Sequence, residues 1–253
     1  MKYLTKKWYK TMQKTYMYLP LKVSKKAENF SEEYYNELYK QEERRYIKLQ
    51  KETKKLLIKT NENDTVDLVQ AKKEFKQLHK NNIKNLKYKL PTKILNKVAD
   101  IRVLALYRAS TSIKKEITDY CIKQEILVQK ALKDYQKYYD EELKDHKGRD
   151  IQNFNLHDAL IRNIIKEKDK LVLELELSEG NENIKNITFQ DYKIIEEELN
   201  FINGWCLYKE IYIVDNEYEL HLLIDVPTIK EGVKLKDSKL GYFTIMARDI
   251  IID

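Results

Sequence analysis

The sequence predicts an α+β protein: an N-terminal all-helical domain over residues 1–150, followed by a C-terminal antiparallel β-sandwich or partly open barrel over residues 151–253. Three observations predict it. Apolar residues recur mostly at helical spacing up to about Asn155 and mostly every second residue after it, which is the change from amphipathic helix to half-buried strand. All five glycines (148, 180, 204, 232 and 241) lie in the later part of the chain. The charge also reverses, from 36 Lys+Arg against 21 Asp+Glu in residues 1–150 to 12 against 20 in residues 151–253. Period and charge switch together around Gly148, which places a domain junction at Lys147–Phe154.

In the first half, Thr5 caps a short helix over Lys6–Lys14, and Pro20 ends that element. Ser31 precedes Glu32 and Glu33, acids that suit a first helical turn, and the helix they open runs to about Lys59. Asp64 or Thr65 caps the next helix, whose narrow stripe of Leu68, Ala71, Phe75, Leu78 and Leu86 is a packing seam. Pro91 starts Thr92–Ala109, apolar all around and so expected as one enclosed helix at the centre of this domain. Ser110-Thr111-Ser112 caps a long amphipathic helix reaching about Leu143.

In the second half, Leu171, Leu173, Leu175 and Leu177 alternate with Val172, Glu174 and Glu176. Lys168-Asp169-Lys170 turns this strand back on Ala159–Lys166 to make a hairpin. Further strands are expected at Ile184–Glu197, Trp205–Val214, Tyr218–Val226 and Leu240–Ile252, six in all, with Pro227–Ser238 as the longest loop. No run of about 18 apolar residues is present, so no membrane span is expected. The basic N-terminus lacks the apolar run and cleavage site of a signal peptide. A cytoplasmic location follows as the expectation, with Cys121 and Cys206 reduced.

The segments KYLTKKWYKTMQ, LPTKILNKVADIRVLALYRAS, LHDALI, ITFQDYKIIEEE, GWCLYKEIY and YELHLLID resemble bacterial proteins catalogued as domain of unknown function 4085. The resemblance extends over nearly the whole chain. It implies a bacterial, soluble protein of a spore-forming Gram-positive lineage, and it implies no activity, so no catalytic residues carry over. Leu156-His157-Asp158-Ala159, four residues leading into a strand, is also similar to the opening of small all-β modules in some bacterial immunity proteins.

Residues 1–147 contain no glycine, which excludes a Gly-rich phosphate loop there, and the second half has neither GxxxxGK[ST] nor GxGxxG. GxSxG, HExxH and CxxC are absent, so no cofactor and no metal are expected. Cys121 on an apolar helix face and Cys206 in a strand read as buried, inert thiols. A candidate polar site comprises His157, Asp158 and His221. A His–carboxylate pair can orient an imidazole for proton transfer, but adjacent strand residues point to opposite faces. His157 and Asp158 therefore also read as residues that tie a loop to the strand through backbone hydrogen bonds. His221 shares its face with Glu219 and Asp225, and His79 and His146 read as helix-surface residues.

Lys76, Lys80, Lys84, Lys87, Lys93, Lys97, Arg102 and Arg108 form a basic run interleaved with Tyr88 and Tyr107, a pattern suited to phosphates and stacked bases. Against it, arginine, the usual base reader, is scarce, and lysine excess is also what an AT-rich genome produces. Two functions follow. The first is a non-enzymatic protein that binds a macromolecular partner, an immunity-like role included. The second is a nucleic-acid-associated protein using the lysine-rich helical face. A hydrolase centred on His157 ranks below both, because no nucleophile can be named. A continuous positive face would favour nucleic acid, and lysines scattered around every helix would not.

Overall fold

The computed structural model describes residues 1–57, 67–143, 155–177, 186–230 and 233–252. Its helices are α1 (Lys6–Met12), α2 (Glu32–Leu57), α3 (Leu68–Lys89), α4 (Thr92–Leu95), α5 (Ile101–Leu104) and α6 (Thr111–Tyr138). Its strands are β1 (Lys22–Val23), β2 (Arg108–Ala109), β3 (Ala159–Lys166), β4 (Lys170–Glu176) and β5 (Asn186–Gln190). They continue as β6 (Lys193–Glu197), β7 (Trp205–Val214), β8 (Glu217–Lys230), β9 (Val233–Ala247) and β10 (Asp249–Ile252). The helical-then-antiparallel order is that of the α+β class read from the sequence. The chain forms two compact units, one of Gln13–Glu125 and the other of Met1–Met12 with Ile126–Asp253. This division groups the first twelve residues and the end of α6 with the strands. The expected junction at Lys147–Phe154 lies outside the described residues.

In the first of these units, Ser31 Oγ accepts the Tyr34 N–H at 3.1 Å and starts α2. The α3 cap is Asp67, whose carboxylate accepts the N–H groups of Val69 and Gln70 at 2.8 and 3.2 Å; Asp64 and Thr65 lie outside the described residues. The single helix expected over Thr92–Ala109 is instead two one-turn helices and a short strand. Asp100 explains the break: its backbone is extended and its carboxylate accepts the Arg102 N–H at 2.8 Å, so it caps a new helix. Tyr107 then adopts the left-handed region (φ 62°), and β2 pairs in parallel with β1. Apolar residues occur all around this stretch because its turns feed two cores. Ile94 and Leu104 pack with Ile113, Ile117 and Cys121, whereas Val103 and Leu106 pack with Leu38 and Phe75.

The other unit is built on an eight-stranded sheet in the order β10-β5-β4-β3-β7-β8-β9-β6. Only Asp191 and Tyr192 separate β5 from β6, and only Arg248 separates β9 from β10. Three residue steps span at most about 10 Å, so the far edges of the sheet come close together. The sheet therefore curls into a partly open barrel, and among the described residues no ladder joins β10 to β6. Two of the six expected strands thus become two each, broken at bends where Asp191 has φ 49° and where Arg248 intervenes. Leu171, Leu173, Ile161, Phe189, Ile211 and Leu222 fill the interior.

Pro227–Ser238 is not a loop: Pro227 pairs with Ser238 as β8 and β9 extend their hairpin. Among the described residues β8 beyond Asp225 pairs with β9 alone, so a residue without an N–H is tolerated on its other edge. The sheet also parts between β3 and β7, whose ladder is confined to Ala159–Cys206 and Leu160–Trp205. The end of α6 covers part of that gap. There the Tyr135 and Tyr138 hydroxyls accept the N–H groups of Ile211 and Ile213 at 2.9 and 3.3 Å.

Candidate functional site

Helix α3 carries seven lysines and one acid. Its apolar stripe is Ala71, Phe75 and the buried His79, so the lysines are left to the opposite side. Lys76, Lys80, Lys84 and Lys87 are exposed and spaced by four, four and three residues. At 1.5 Å per residue this is a ridge of about 16 Å with ammonium groups roughly 5–6 Å apart along the axis. Lys73, three residues earlier, extends the ridge, although it was not among the residues singled out from the sequence. Tyr88, 68% exposed, follows directly after Lys87. The single acid, Glu74, is engaged with Tyr46 and Gln70. Lys93 is exposed on α4.

The other three basic residues of the run are committed within the fold. Lys97 pairs with Glu116 at 2.7 Å. Arg108 pairs with Glu42 at 2.8 Å, where both side chains are largely buried. Arg102 reaches Asp100 at 2.8 Å and Glu32 at 2.7 Å, and it lies over the rings of Phe30 and Tyr35. Its hydrogen bonds to those two carboxylates hold the guanidinium above its ordinary range, against the effect of burial.

His157 and Asp158 occupy a turn ahead of β3, not the strand itself. Asp158 has φ 62°, and its N–H donates to Cys206 O at 2.8 Å. His157 Nδ1 donates to Leu207 O, and its N–H donates to Asn155 Oδ1 at 2.9 Å. The distance from His157 Nε2 to the Asp158 carboxylate is 3.7 Å, too long for a hydrogen bond. The backbone of β7, not a carboxylate, orients this imidazole. Leu156 packs into the barrel core, so the Leu-His-Asp-Ala segment serves to seat the turn on β7.

His221 lies on the outer face of β8, distant in sequence from that turn and with partners of its own. Its Nε2 meets Glu219, and its Nδ1 lies 3.2 Å from Thr244 Oγ1 and 2.6 Å from the Met1 amino group. Burial and the nearby amino group pull its pKa down, outweighing the two carboxylates Glu219 and Glu210. His79, expected on a helix surface, is buried against Tyr35 and Tyr39, and its Nε2 lies 3.1 Å from Arg102 O; His146 lies outside the described residues.

Two charged residues not singled out from the sequence lie side by side on β7. Glu210 is fully buried and accepts the backbone N–H groups of Lys2 at 2.7 Å, Tyr3 at 2.9 Å and Leu4, together with the Tyr212 hydroxyl. It anchors the first residues of the chain on the outer face of the sheet. Lys209 points the other way, toward the interior, and lines a cavity of about 410 Å³ with Asn155, Leu156, His157, Leu207 and Tyr208. A signal was present for both: a Lys-Glu pair in the middle of the otherwise apolar strand WCLYKEIYIV.

Among the described residues no helix is long and apolar enough to cross a membrane. The family described as "Protein of unknown function (DUF4085)" matches residues 29–233. The opening KYLTKKWYKTMQ segment precedes the matched residues. No curated protein and no solved structure matches the chain.

Proposed function

Because the chain belongs to DUF4085, a family of proteins of unknown function, we propose a role from its own surface: a non-enzymatic interaction protein whose α3 ridge binds a nucleic-acid backbone. The observation that carries this reading is the contrast between α3 and the other long helices. On α2 and at the end of α6, some basic residues have an acid within reach along the helix, as in Arg45–Glu42, Lys48–Glu52 and Lys137–Glu141. On α3, Lys76, Lys80, Lys84 and Lys87 form a row without ion pairs among the described residues. Like charges held at i, i+4 destabilise a helix by a few tenths of a kcal/mol per pair, and an anionic partner would relieve them. Tyr88 adds a ring at the end of the row, suited to an unpaired base. A cytoplasmic location, the expectation from the sequence, belongs to this reading.

The test is titration of the full chain with labelled duplex DNA, single-stranded DNA and RNA at about 50 and 200 mM salt. Four backbone contacts predict an affinity that falls steeply with salt, with a log–log slope of about −3 to −4. Replacing Lys76, Lys80, Lys84 and Lys87 by Glu should abolish binding. Replacing Lys97 and Arg108 should leave the slope unchanged if the variant stays folded. Failure of the intact chain to bind any of the three at low salt would overturn the reading and leave an acidic protein surface as the partner of the ridge.

A further inference from the structure

The stretch Lys14–Lys26, between α1 and α2, presents a surface that neither the cores nor the α3 ridge accounts for. We infer that it docks on an anionic lipid surface, with Leu19 and Val23 entering the acyl boundary and Lys14, Lys22, Lys25 and Lys26 meeting the headgroups. The inference rests on other residues than the α3 ridge does.

The backbone here is fixed, so the exposure of its side chains is built in. The Leu19 N–H donates to Tyr16 O at 3.2 Å and the Leu21 N–H to Tyr18 O at 3.1 Å, which makes two overlapping turns. Leu21 then buries itself with Ile94, Leu104 and Ile113. The Lys22 and Ser24 N–H groups donate to Tyr107 O at 2.9 Å and Ala109 O at 2.8 Å, as β1 pairs with β2. Held this way, the stretch leaves large apolar side chains in water: Tyr16 is 54% exposed, Leu19 63% and Val23 54%. Their chain neighbours Met17, Pro20 and Leu21 line a groove of about 180 Å³ together with Leu86, Leu104 and Tyr107. The apolar surface therefore continues past the turn.

The charge around these residues has one sign. Every charged residue from Gln13 to Ala27 is a lysine: Lys14, Lys22, Lys25 and Lys26, the last three exposed. The first acid beyond them is Glu28, itself exposed. Among the described residues none of the four lysines pairs with a carboxylate, and Lys26 lies over the Tyr34 ring, 5.6 Å from its centre. A purely apolar partner would leave four ammonium groups without counter-charge. A phosphate backbone would offer Leu19 and Val23 no apolar contact. A bilayer with acidic lipids offers both, negative headgroups at the surface and hydrocarbon beneath them. A projecting turn suits it, because lipid needs no matching hollow to receive a leucine.

The experiment is vesicle binding by the full chain. Leu19→Cys is labelled with an NBD thiol reagent, for which the buried Cys121 and Cys206 do not compete in the folded protein. Vesicles of phosphatidylcholine, alone or with about 30% phosphatidylglycerol, are added at about 100 and 500 mM salt. NBD fluorescence should rise with the acidic vesicles at the lower salt and stay low with phosphatidylcholine alone. Brominated acyl chains should quench it. Unlabelled wild type should co-sediment with the acidic vesicles. Replacing Lys14, Lys22, Lys25 and Lys26 by Gln should weaken that binding about a hundredfold or more. Leu19→Ser with Val23→Ser should weaken it about tenfold or more. Replacing Lys76, Lys80, Lys84 and Lys87 by Gln should leave the NBD response in place. Binding that the Leu19 and Val23 substitutions do not alter would overturn the inference, as would a label that stays in water on bound vesicles. So would an NBD response to polyglutamate without one to the vesicles, which would assign the surface to an acidic protein.

Discussion

The Leu4 backbone N–H donates to the Glu210 carboxylate, joining residues 206 positions apart. With Lys2, Tyr3 and the Tyr212 hydroxyl on the same carboxylate, one buried anion organises the start of the chain. Replacing Glu210 by Gln turns one acceptor into a donor facing donors. Unfolding by urea should show a loss of about 2–4 kcal/mol. Amide exchange at Lys2, Tyr3 and Leu4 should accelerate before that of the barrel core. Unchanged exchange at these three amides would show that Glu210 does not hold them.

Glu198 provides a pH-dependent fastening for the same segment. Burial pushes its carboxyl up, but the Lys6 ammonium and the Tyr242 backbone N–H outweigh that and hold it below the usual range. Since the folded pKa is depressed, the stabilisation is complete above the unfolded glutamate value of about 4.3 and is lost as pH falls through the folded value. Amide exchange in α1 should therefore rise below about pH 4 in wild type. In Glu198→Gln it should be raised already at neutral pH and show a flatter profile.

Lys209 has the opposite effect on net stability. Its folded pKa lies far below the unfolded value, so the unfolded chain binds the extra proton between about pH 7 and 10. Global stability should climb with pH across that window. Lys209→Met should lack most of the climb. Urea denaturation at four pH values measures both.

Gly241 faces Phe201 without room for a side chain. A Cβ there would sit 2.7 Å from Phe201 Cε1 and 2.8 Å from Leu199 Cδ1. Phe201 is fully buried and stacked on Phe243, so it has little freedom to move away. Gly241→Ala should cost about 1–3 kcal/mol by overpacking, read as a lower denaturation midpoint with an unchanged m-value.

Cys121 and Cys206 are both buried and unpaired. Burial pushes the Cys206 thiol up to about 12 and raises Cys121 as well. Neither should react with Ellman's reagent in the folded protein, and both should react once it unfolds in guanidinium. Fast labelling of either thiol in the native state would contradict the packing described above.

The antiparallel half was legible because Leu171, Leu173 and Leu175 advertise their inward face by strict alternation. The hairpin to Ala159–Lys166 followed from a short polar turn. What the pattern could not show was curvature. A bend at Asp191 or Arg248 leaves the two-residue period intact, so each broken strand read as one. Thr92–Ala109 misled for a related reason: residues apolar all around fit an enclosed helix, and they fit equally well single turns shared between two cores. Only Asp100, a capping residue in mid-run, hinted at the break. At the candidate sites, the sequence listed the α3 lysines together with Lys97, Arg102 and Arg108 and could not separate them, because Glu116, Glu32 and Glu42, which pair with the last three, lie 19, 70 and 66 residues away. Glu210 was hidden because an acid in a strand is ordinarily an outward, solvated residue, and the segment that covers it comes from the far end of the chain.

That covering segment has an implication for synthesis. Met1–Met12 is synthesised before the strands that hold it: its polar anchors there are Glu210 on β7, Glu198 just after β6 and Tyr242 on β9. At about 5–20 residues per second, on the order of ten to fifty seconds separate the emergence of Lys6 from that of Tyr242. Throughout that interval the segment lacks its full set of strand anchors, and the side of Trp8 that meets Tyr208 on β7 stays uncovered until that strand emerges, leaving Val128 and Tyr135 on α6 as its earlier contacts. Lys2, Lys6, Lys7 and Lys10, with no acid among the first twelve residues, give the waiting segment a charge that opposes self-association.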